Sequence, residues 1–312
     1  MKRIPLVVVV GPTASGKTAL GVNIAKKLNG EVVSADSMQI YQNMDIATAK
    51  PTVEEMEGIP HHLIDFLKPD KDFSLAEYIN LATEKIKDIH KRGKLPVLVG
   101  GTGLYINTLI DNITLGDSGK DDKLREELLS LAREKGNAYL LNELRKVDEE
   151  SASTLHENNL LRIVRAIEVY RLTGKKMSDW VKESRNEQSP YNFCIIGLNY
   201  KDRDVLYDRI NKRVDKMMAD GLLEEARKVL ETKLSTSAQA IGYKELKPFI
   251  EGEDSLENCI GRLKQSTRHY AKRQLTWFRR DERINWVYPD EEKNFEKVLE
   301  KSVKIIENSK IL

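Results

Sequence analysis

Eight residues near the N-terminus, Gly11-Pro12-Thr13-Ala14-Ser15-Gly16-Lys17-Thr18, carry the spacing GxxxxGKT between a short apolar run and a helix-forming segment. Glycines at that spacing let the backbone curl until several N–H groups face one anion, and the start of the following helix adds partial positive charge. Lys17 supplies a point charge for the phosphates, and the Thr18 hydroxyl is placed to ligand Mg2+. The motif specifies a phosphate chain and leaves open what is done with it.

Two further segments bear on that question. Asp36, in Ser34-Ala35-Asp36-Ser37-Met38-Gln39-Ile40-Tyr41, follows a second strand candidate, where ligands of parallel sheets collect. A carboxylate there holds magnesium, takes a proton from an attacking group, or caps the next turn, and spacing does not choose among these. Gly100-Gly101-Thr102-Gly103-Leu104-Tyr105 follows the apolar run Leu95–Val99. Phosphate-cleaving P-loop enzymes commonly place an acidic residue at such a strand end, so the glycines argue against an ordinary ATPase or GTPase. They either admit a substrate close to the backbone or only make a tight strand-to-helix turn.

The remaining candidates are cationic or imidazole groups. In Asn158–Lys176, Arg162, Arg165, Arg171, Lys175 and Lys176 stand against the single acid Glu168. In Arg268–Arg283, Arg268, Lys272, Arg273, Arg279, Arg280 and Arg283 stand against Asp281 and Glu282, with Tyr270, Trp277 and Phe278 interleaved. Arg268, Lys272 and Arg279 share a helical face spaced to follow a phosphate backbone. The plainer alternative is a solvated surface whose aromatics enter the core; two such helices beside a phosphate site favour RNA. Arg209 and Arg213, four apart, either close over a diphosphate as a lid does or pair with Asp208 and Asp215. His61 and His62 point to opposite sides of an extended segment without a third ligand nearby, so they are structural or ligand-proximal polar groups and not a zinc site.

These residues need a scaffold. Leu6–Val10, Glu31–Ser34 and Leu95–Val99 are buried-strand candidates, with helices expected at Thr18–Leu28 and Leu75–Lys91, an alternation that argues for a parallel α/β sheet flanked by helices. Between Ser118 and Ser184 the pattern is helical throughout: Asp122–Glu134, Tyr139–Lys146, Ser151–His156 and Asn159–Thr173, stopped by Gly174. A strand at Phe193–Leu198 follows, then helices at Arg203–Thr232, Tyr243–Glu251 and Leu256–Arg280, a short strand Ile284–Tyr288 and a charged terminal helix. The expected organisation is a P-loop α/β core over 1–117, an inserted all-helical subdomain over 118–188, and the rest of the core with C-terminal helices over 189–312. The 312 residues are 40% hydrophobic and 32% charged, with a net charge of +2, so the overall balance names no partner. Two separated cysteines argue against a disulfide framework, and no apolar run is long enough for a signal peptide core or a membrane span; a cytoplasmic protein, monomeric and without a membrane partner, is expected.

In order along the chain, GPTASGKT at Gly11–Thr18, SADSMQIY at Ser34–Tyr41, TAKPT at Thr48–Thr52, GIPHHLID at Gly58–Asp65 and GGTGLY at Gly100–Tyr105 resemble the bacterial tRNA dimethylallyltransferases. So do LRIVRAIEVYRLTGK at Leu161–Lys175, QAIGYKEL at Gln239–Leu246 and RHYAKRQLTWFRRD at Arg268–Asp281. Only Gly116 to about Asn158, Asp179–Ser189 and the C-terminal tail lack distinctive matches.

The resemblance implies transfer of a dimethylallyl group from dimethylallyl diphosphate to the exocyclic amine (N6) of the adenosine immediately 3′ of the anticodon, in tRNAs reading codons that begin with U. The diphosphate, with Mg2+, would occupy the P-loop, and the adenosine would be flipped from the anticodon loop into a channel. By the same match Asp36 is the catalytic base, assisted by Thr13, Arg209 and Arg213. Asp36, Ser37, Met38, Gln39, Thr102, Arg125, Leu161, Arg162, Ile163, Val164 and Arg165 are implied tRNA contacts, joined by Arg268 and Lys272 from the basic helix. Three other readings compete: a nucleotide or small-molecule kinase, a prenyltransferase acting on free adenine nucleotides, and a non-catalytic RNA-binding switch.

Overall fold

Strand β1 (Ile4–Val10) is a continuous run of apolar residues because it is covered on both faces. Leu6, Val8 and Val10 enter one core while Val7 and Val9 enter another, the period-two alternation of an extended chain. Its neighbours are β4 (Leu95–Gly100), in register Val8 with Leu98, and β5 (Tyr191–Leu198), in register Val8 with Ile195. With β2 (Gly30–Ala35), β3 (His61–His62) and β6 (Ile284–Val287) they make a parallel sheet in the order β3-β2-β4-β1-β5-β6.

The computed structural model describes residues 3–114, 119–184, 188–231 and 240–312, and the chain forms two units, Met1–Ile110 with Pro190–Leu312, and Asp111–Ser189. In the first, helices α3 (Leu75–Lys91) and α4 (Gly103–Ile110) cover one face of the sheet through Tyr78, Ala82, Ile86, Ile106 and Leu109. Helix α1 (Lys17–Lys27) and the terminal helix cover the other through Leu20, Ile24, Val298 and Ile306. Ser74 and Glu77 close α3 with a reciprocal capping box. A short helix α2 (Val53–Met56) lies between β2 and β3.

The second unit holds α5 (Asp122–Lys135), α6 (Asn137–Val147), α7 (Glu149–Thr154), α8 (Leu160–Thr173) and α9 (Met177–Glu183) around Leu128, Leu140, Leu144, Ile163 and Ile167. Gly174 ends α8 in a left-handed conformation, as its position after Thr173 suggested. The unit begins at Asp111, directly after α4 leaves the sheet layer; the boundary expected between 117 and 118 lies outside the described residues, as do Thr232 and Gln239.

One expected helix is divided. The run from Arg203 becomes α10 (Arg203–Ala219) and α11 (Leu222–Glu231), because Gly221 adopts φ 101°, a conformation a helix cannot contain. Helices α12 (Tyr243–Ile250), α13 (Leu256–Phe278) and α14 (Phe295–Asn308) follow. Helices α10 to α13 build their own core around Val214, Leu222, Tyr243 and Leu263, and it includes Ile40, Tyr41 and Met44 from the segment after β2.

At the outer edge of the sheet, Glu31 of β2 is buried among cations. Its carboxylate accepts from both terminal nitrogens of Arg92 (2.5 and 2.7 Å), pairs with Lys94 at 3.1 Å, and meets His62 Nε2 at 2.7 Å. The Arg92 hydrogen bonds hold the carboxyl far below the ordinary carboxylate range, against the opposing effect of burial. A depressed carboxyl stabilises the fold above the unfolded value and loses that contribution as pH falls towards the folded one. Glu31→Gln is therefore expected to lower stability at neutral pH by about 1–3 kcal/mol, with a denaturant midpoint that converges on the wild type as pH drops below about 4.

Candidate active site

The P-loop turns out of β1 with Ala14 and Gly16 in left-handed conformations (φ 62° and 92°), and α1 starts at Lys17. Lys17 Nζ donates to the Pro12 carbonyl at 3.3 Å. Burial is the main reason its ammonium is pulled down to about 8; Arg213 pushes in the same direction and Asp36 opposes both. The loop therefore has an under-solvated cation at its mouth, which a phosphate chain would favour.

Asp36 does one of the things expected of it. Its Oδ1 accepts the backbone N–H groups of Met38 (2.9 Å) and Gln39 (3.4 Å), so it closes the turn after β2. It also lines the cavity that contains Lys17 and Arg213. Around it, Thr102 Oγ1 accepts from the Ser37 N–H at 3.1 Å, tying the ends of β2 and β4 together. Gln39 Nε2 donates to the carbonyls of Thr48 and Ala49 at 3.2 and 3.1 Å. That segment is gripped from α11: Glu225 accepts from the N–H groups of Asp45, Ile46 and Ala47 at 2.8, 2.8 and 2.9 Å.

Helix α10 lies over the P-loop because Ala14 packs with Leu206, Ile210 and Ala271. Arg209 Nε donates to the Ala14 carbonyl at 3.0 Å, and Arg213, one turn further, lines the cavity with its pKa lowered by burial. Asp208 and Asp215 pair instead with Lys212 and Lys264 (2.7 and 2.6 Å), which leaves the arginines turned to the loop.

The glycines after β4 serve helix α13. A methyl group at Gly101 would overlap the side chain of Gln274, and one at Gly103 would overlap the Trp277 ring. They admit the protein's own helix, where sequence reasoning left a substrate or a bare turn. The aromatics of α13 part company: Phe278 is core, Trp277 donates to Asn107 at 2.9 Å, and Tyr270 lines the cavity with Arg273 stacked 5.6 Å from its ring centre. Arg268 is half-buried and donates to Asn211 of α10 at 2.7 Å, whereas Lys272 is exposed.

The cavity itself holds about 310 Å³. Thr13, Lys17, Thr18, Asp36 and Arg213 form its polar lining, while Met38, Ala47, Met217, Leu222, Ile241 and Leu263 form an apolar one. His61 also reaches it: its Nδ1 lies 2.8 Å from the Ile59 carbonyl and must carry the proton, so the buried Nε2 is a lone pair without a partner among the described residues. Gln39, Glu225, Tyr270, Arg273 and Gln274 were not singled out for this site by sequence, apart from the placement of Gln39 on tRNA. Their partners lie up to 261 residues away, beyond any local pattern.

In the second unit the expected contact residues separate by face. Leu161 (74% exposed) and Arg162 face solvent, whereas the side chains of Ile163 and Val164 are buried in the unit's own core. Arg125 and Arg165 converge on Glu168, which has no exposed side-chain surface. Arg125 binds both carboxylate oxygens (2.8 and 2.9 Å), Arg165 one at 2.6 Å, and the Asp121 N–H donates at 2.9 Å. Burial would raise this carboxyl, but the hydrogen bonds prevail and hold it low.

Residues 39–281 match the family model described as IPP transferase. The tRNA dimethylallyltransferase of Thermoanaerobacter sp. (strain X514) is 50% identical over 307 residues, covering 97% of this chain and 98% of that protein. That of Halalkalibacterium halodurans is 50% identical over 283 residues, 90% of each. Among solved structures, the full-length tRNA isopentenylpyrophosphate transferase of Bacillus halodurans superposes with a TM-score of 0.73 at 46% identity over 98% of both chains. A eukaryotic dimethylallyltransferase acting on tRNA gives 0.81 at 31% identity, covering 97% of this chain and 80% of that one.

The position of Lys17 has a measurable consequence. As pH rises past about 8 the ammonium of the free protein loses its proton and its attraction for an anion. Calorimetric affinity for Mg2+-pyrophosphate should decline across that range in the wild type, and Lys17→Arg should remove this component of the pH dependence.

Proposed function

The chain belongs to the IPP transferase family, the tRNA dimethylallyltransferases, and we propose that the cavity over its P-loop is where dimethylallyl diphosphate meets the tRNA adenosine. The protein is a prenyltransferase that acts on tRNA. The observation that carries the site assignment is the joining of three chemistries in one cavity: two desolvated cations, a carboxylate and an apolar lining. A kinase or ATPase commonly places a carboxylate at the end of such a strand, where Gly100 and Gly101 stand after β4, and this counts against that reading.

In this reading the diphosphate lies along the P-loop, held by its backbone N–H groups, Lys17 and Arg213, with Arg209 bracing the loop through Ala14. The five-carbon group lies against the apolar lining. The exocyclic amine of the adenosine immediately 3′ of the anticodon approaches its allylic carbon, a nitrogen–carbon bond forms, and the carbon–oxygen bond to diphosphate breaks. Asp36 orients the amine and accepts its proton, its Oδ1 anchored by the Met38 and Gln39 N–H groups. Thr13 lines the cavity beside the departing diphosphate.

Mg2+ fits this donor set. The described residues hold no group of three or more His, Cys, Asp or Glu able to cage a metal, so Thr18 would hold Mg2+ together with diphosphate oxygens and water. Bound there, it would supply positive charge to the leaving group.

We assign the tRNA partner more finely as the anticodon stem-loop of tRNAs reading codons that begin with U. Leu161 and Arg162 of α8 and Lys272 of α13 are its exposed contacts, and Arg125, Arg165 and Arg268 take part from partly engaged positions. Among the described residues no helix is long and apolar enough to cross a membrane. A monomer working in the cytoplasm accords with this substrate.

Purified protein given dimethylallyl diphosphate, Mg2+ and an unmodified anticodon stem-loop is expected to form N6-(dimethylallyl)adenosine, with AMP a far poorer acceptor. Transfer to AMP alone would refute the tRNA assignment. Asp36→Asn should lower kcat by about 10²–10⁴-fold with the KM for the prenyl diphosphate little changed. Arg162→Ala should reduce the salt dependence of stem-loop binding by about one charge without loss of stability, whereas Arg165→Ala should also lower the unfolding midpoint, since it strips a partner from buried Glu168.

A further inference from the structure

Gln274 lies on α13, 6% exposed, and both ends of its amide are engaged by backbone groups of other elements. Its Oε1 accepts the N–H of Thr13 at 2.8 Å, and its Nε2 donates to the carbonyl of Gly101 at 3.1 Å. These two loops follow β1 and β4, which are adjacent in the sheet, so one side chain links them at the cavity. In a phosphate-binding loop the backbone N–H groups ordinarily face the anion. Here that of Thr13 is held from behind by a side chain. An apolar residue at 274 would leave a buried N–H and a buried carbonyl without partners.

The surroundings are fitted to this amide. A methyl group at Gly101 would overlap Gln274 Nε2, so glycine is what leaves room for the amide, while Lys17 Cε, 3.6 Å from that point, would only be in ordinary contact. Tyr270 and Arg273, within about one turn of Gln274, line the cavity, and Ala271 packs beside Ala14 of the P-loop.

Resting on the reading that this cavity is the transfer site, we infer that Gln274 is a positioning residue: it fixes the P-loop against the Gly101 turn and thereby sets how the loop meets the diphosphate. Gln274 also lines the cavity, and in this role it acts through the loop and not on a reacting atom.

Gln274→Ala and Gln274→Glu in the full chain test it. An ionised glutamate accepts from Thr13 but opposes a second acceptor to the Gly101 carbonyl, while a protonated one donates to that carbonyl as the amide does. Lys17, Asp36, Arg213, Tyr270 and Arg273 line the same cavity in every protein compared, so each variant is expressed as a ratio to wild type at the same pH. At about pH 8.5 both variants should lose about tenfold or more in kcat/KM for the prenyl diphosphate, with the stem-loop KM within about twofold. The loss should persist towards about pH 6 in both variants, because a glutamate beside Lys17 and Arg273 stays ionised there, and calorimetric affinity for Mg2+-pyrophosphate should fall in both as well. Variants equal to wild type, or a loss that falls on the stem-loop KM and spares the prenyl diphosphate and pyrophosphate, would overturn the role. A wild-type protein that transfers no prenyl group would instead sink the site reading, and the pyrophosphate titrations would still decide Gln274.

Discussion

The arrangement depends on keeping two cations, Lys17 and Arg213, in one poorly solvated cavity with Asp36 as their nearest offset. Charges of like sign held out of water repel strongly at the low effective dielectric of such a site. The fold tolerates them because each is carried by an element fixed for other reasons: Lys17 opens a helix packed beneath the sheet, and Arg213 lies on a helix whose apolar face covers Ala14. A polyanion relieves the repulsion. A site of this kind prefers a ligand that leaves as an anion, because charge growing on the leaving group meets dipoles and cations already in place.

Much of this was legible along the chain. Strands β1 and β4 are continuous apolar runs, and α3 announces itself by periodicity and by its Ser74-to-Glu77 box, so their positions follow from local pattern. The P-loop was legible because its chemistry is bound to a short spacing next to a strand end, whereas for Asp36 the strand end gave the place and left the role open. Less visible was β3, two residues long and dependent on its pairing with β2, and the break at Gly221, which reads as one tolerated glycine in a helical run.

The least legible residues are polar groups whose partners are remote. Gln274 and Glu225 look like ordinary helix-surface residues, yet one holds the P-loop and the other takes three successive N–H groups from Asp45, Ile46 and Ala47. Charge counting was also incomplete. Arg165 read as part of a basic segment and Arg125 as a contact implied by resemblance alone, but a buried acid three residues beyond Arg165 engages both. Period-3.6 arithmetic likewise places Ile163 and Val164 inside and Leu161 outside, a separation that a match over the whole segment passes over.

Glu168 bears on the state in which the folded second unit holds its arginines. Long arginine side chains normally sample many rotamers and lose that freedom when they dock. Tethered to one carboxylate, Arg125 and Arg165 have already lost it during folding, and their pair of charges is reduced towards one. The surface so made attracts polyanions less from a distance and presents a fixed outline at contact.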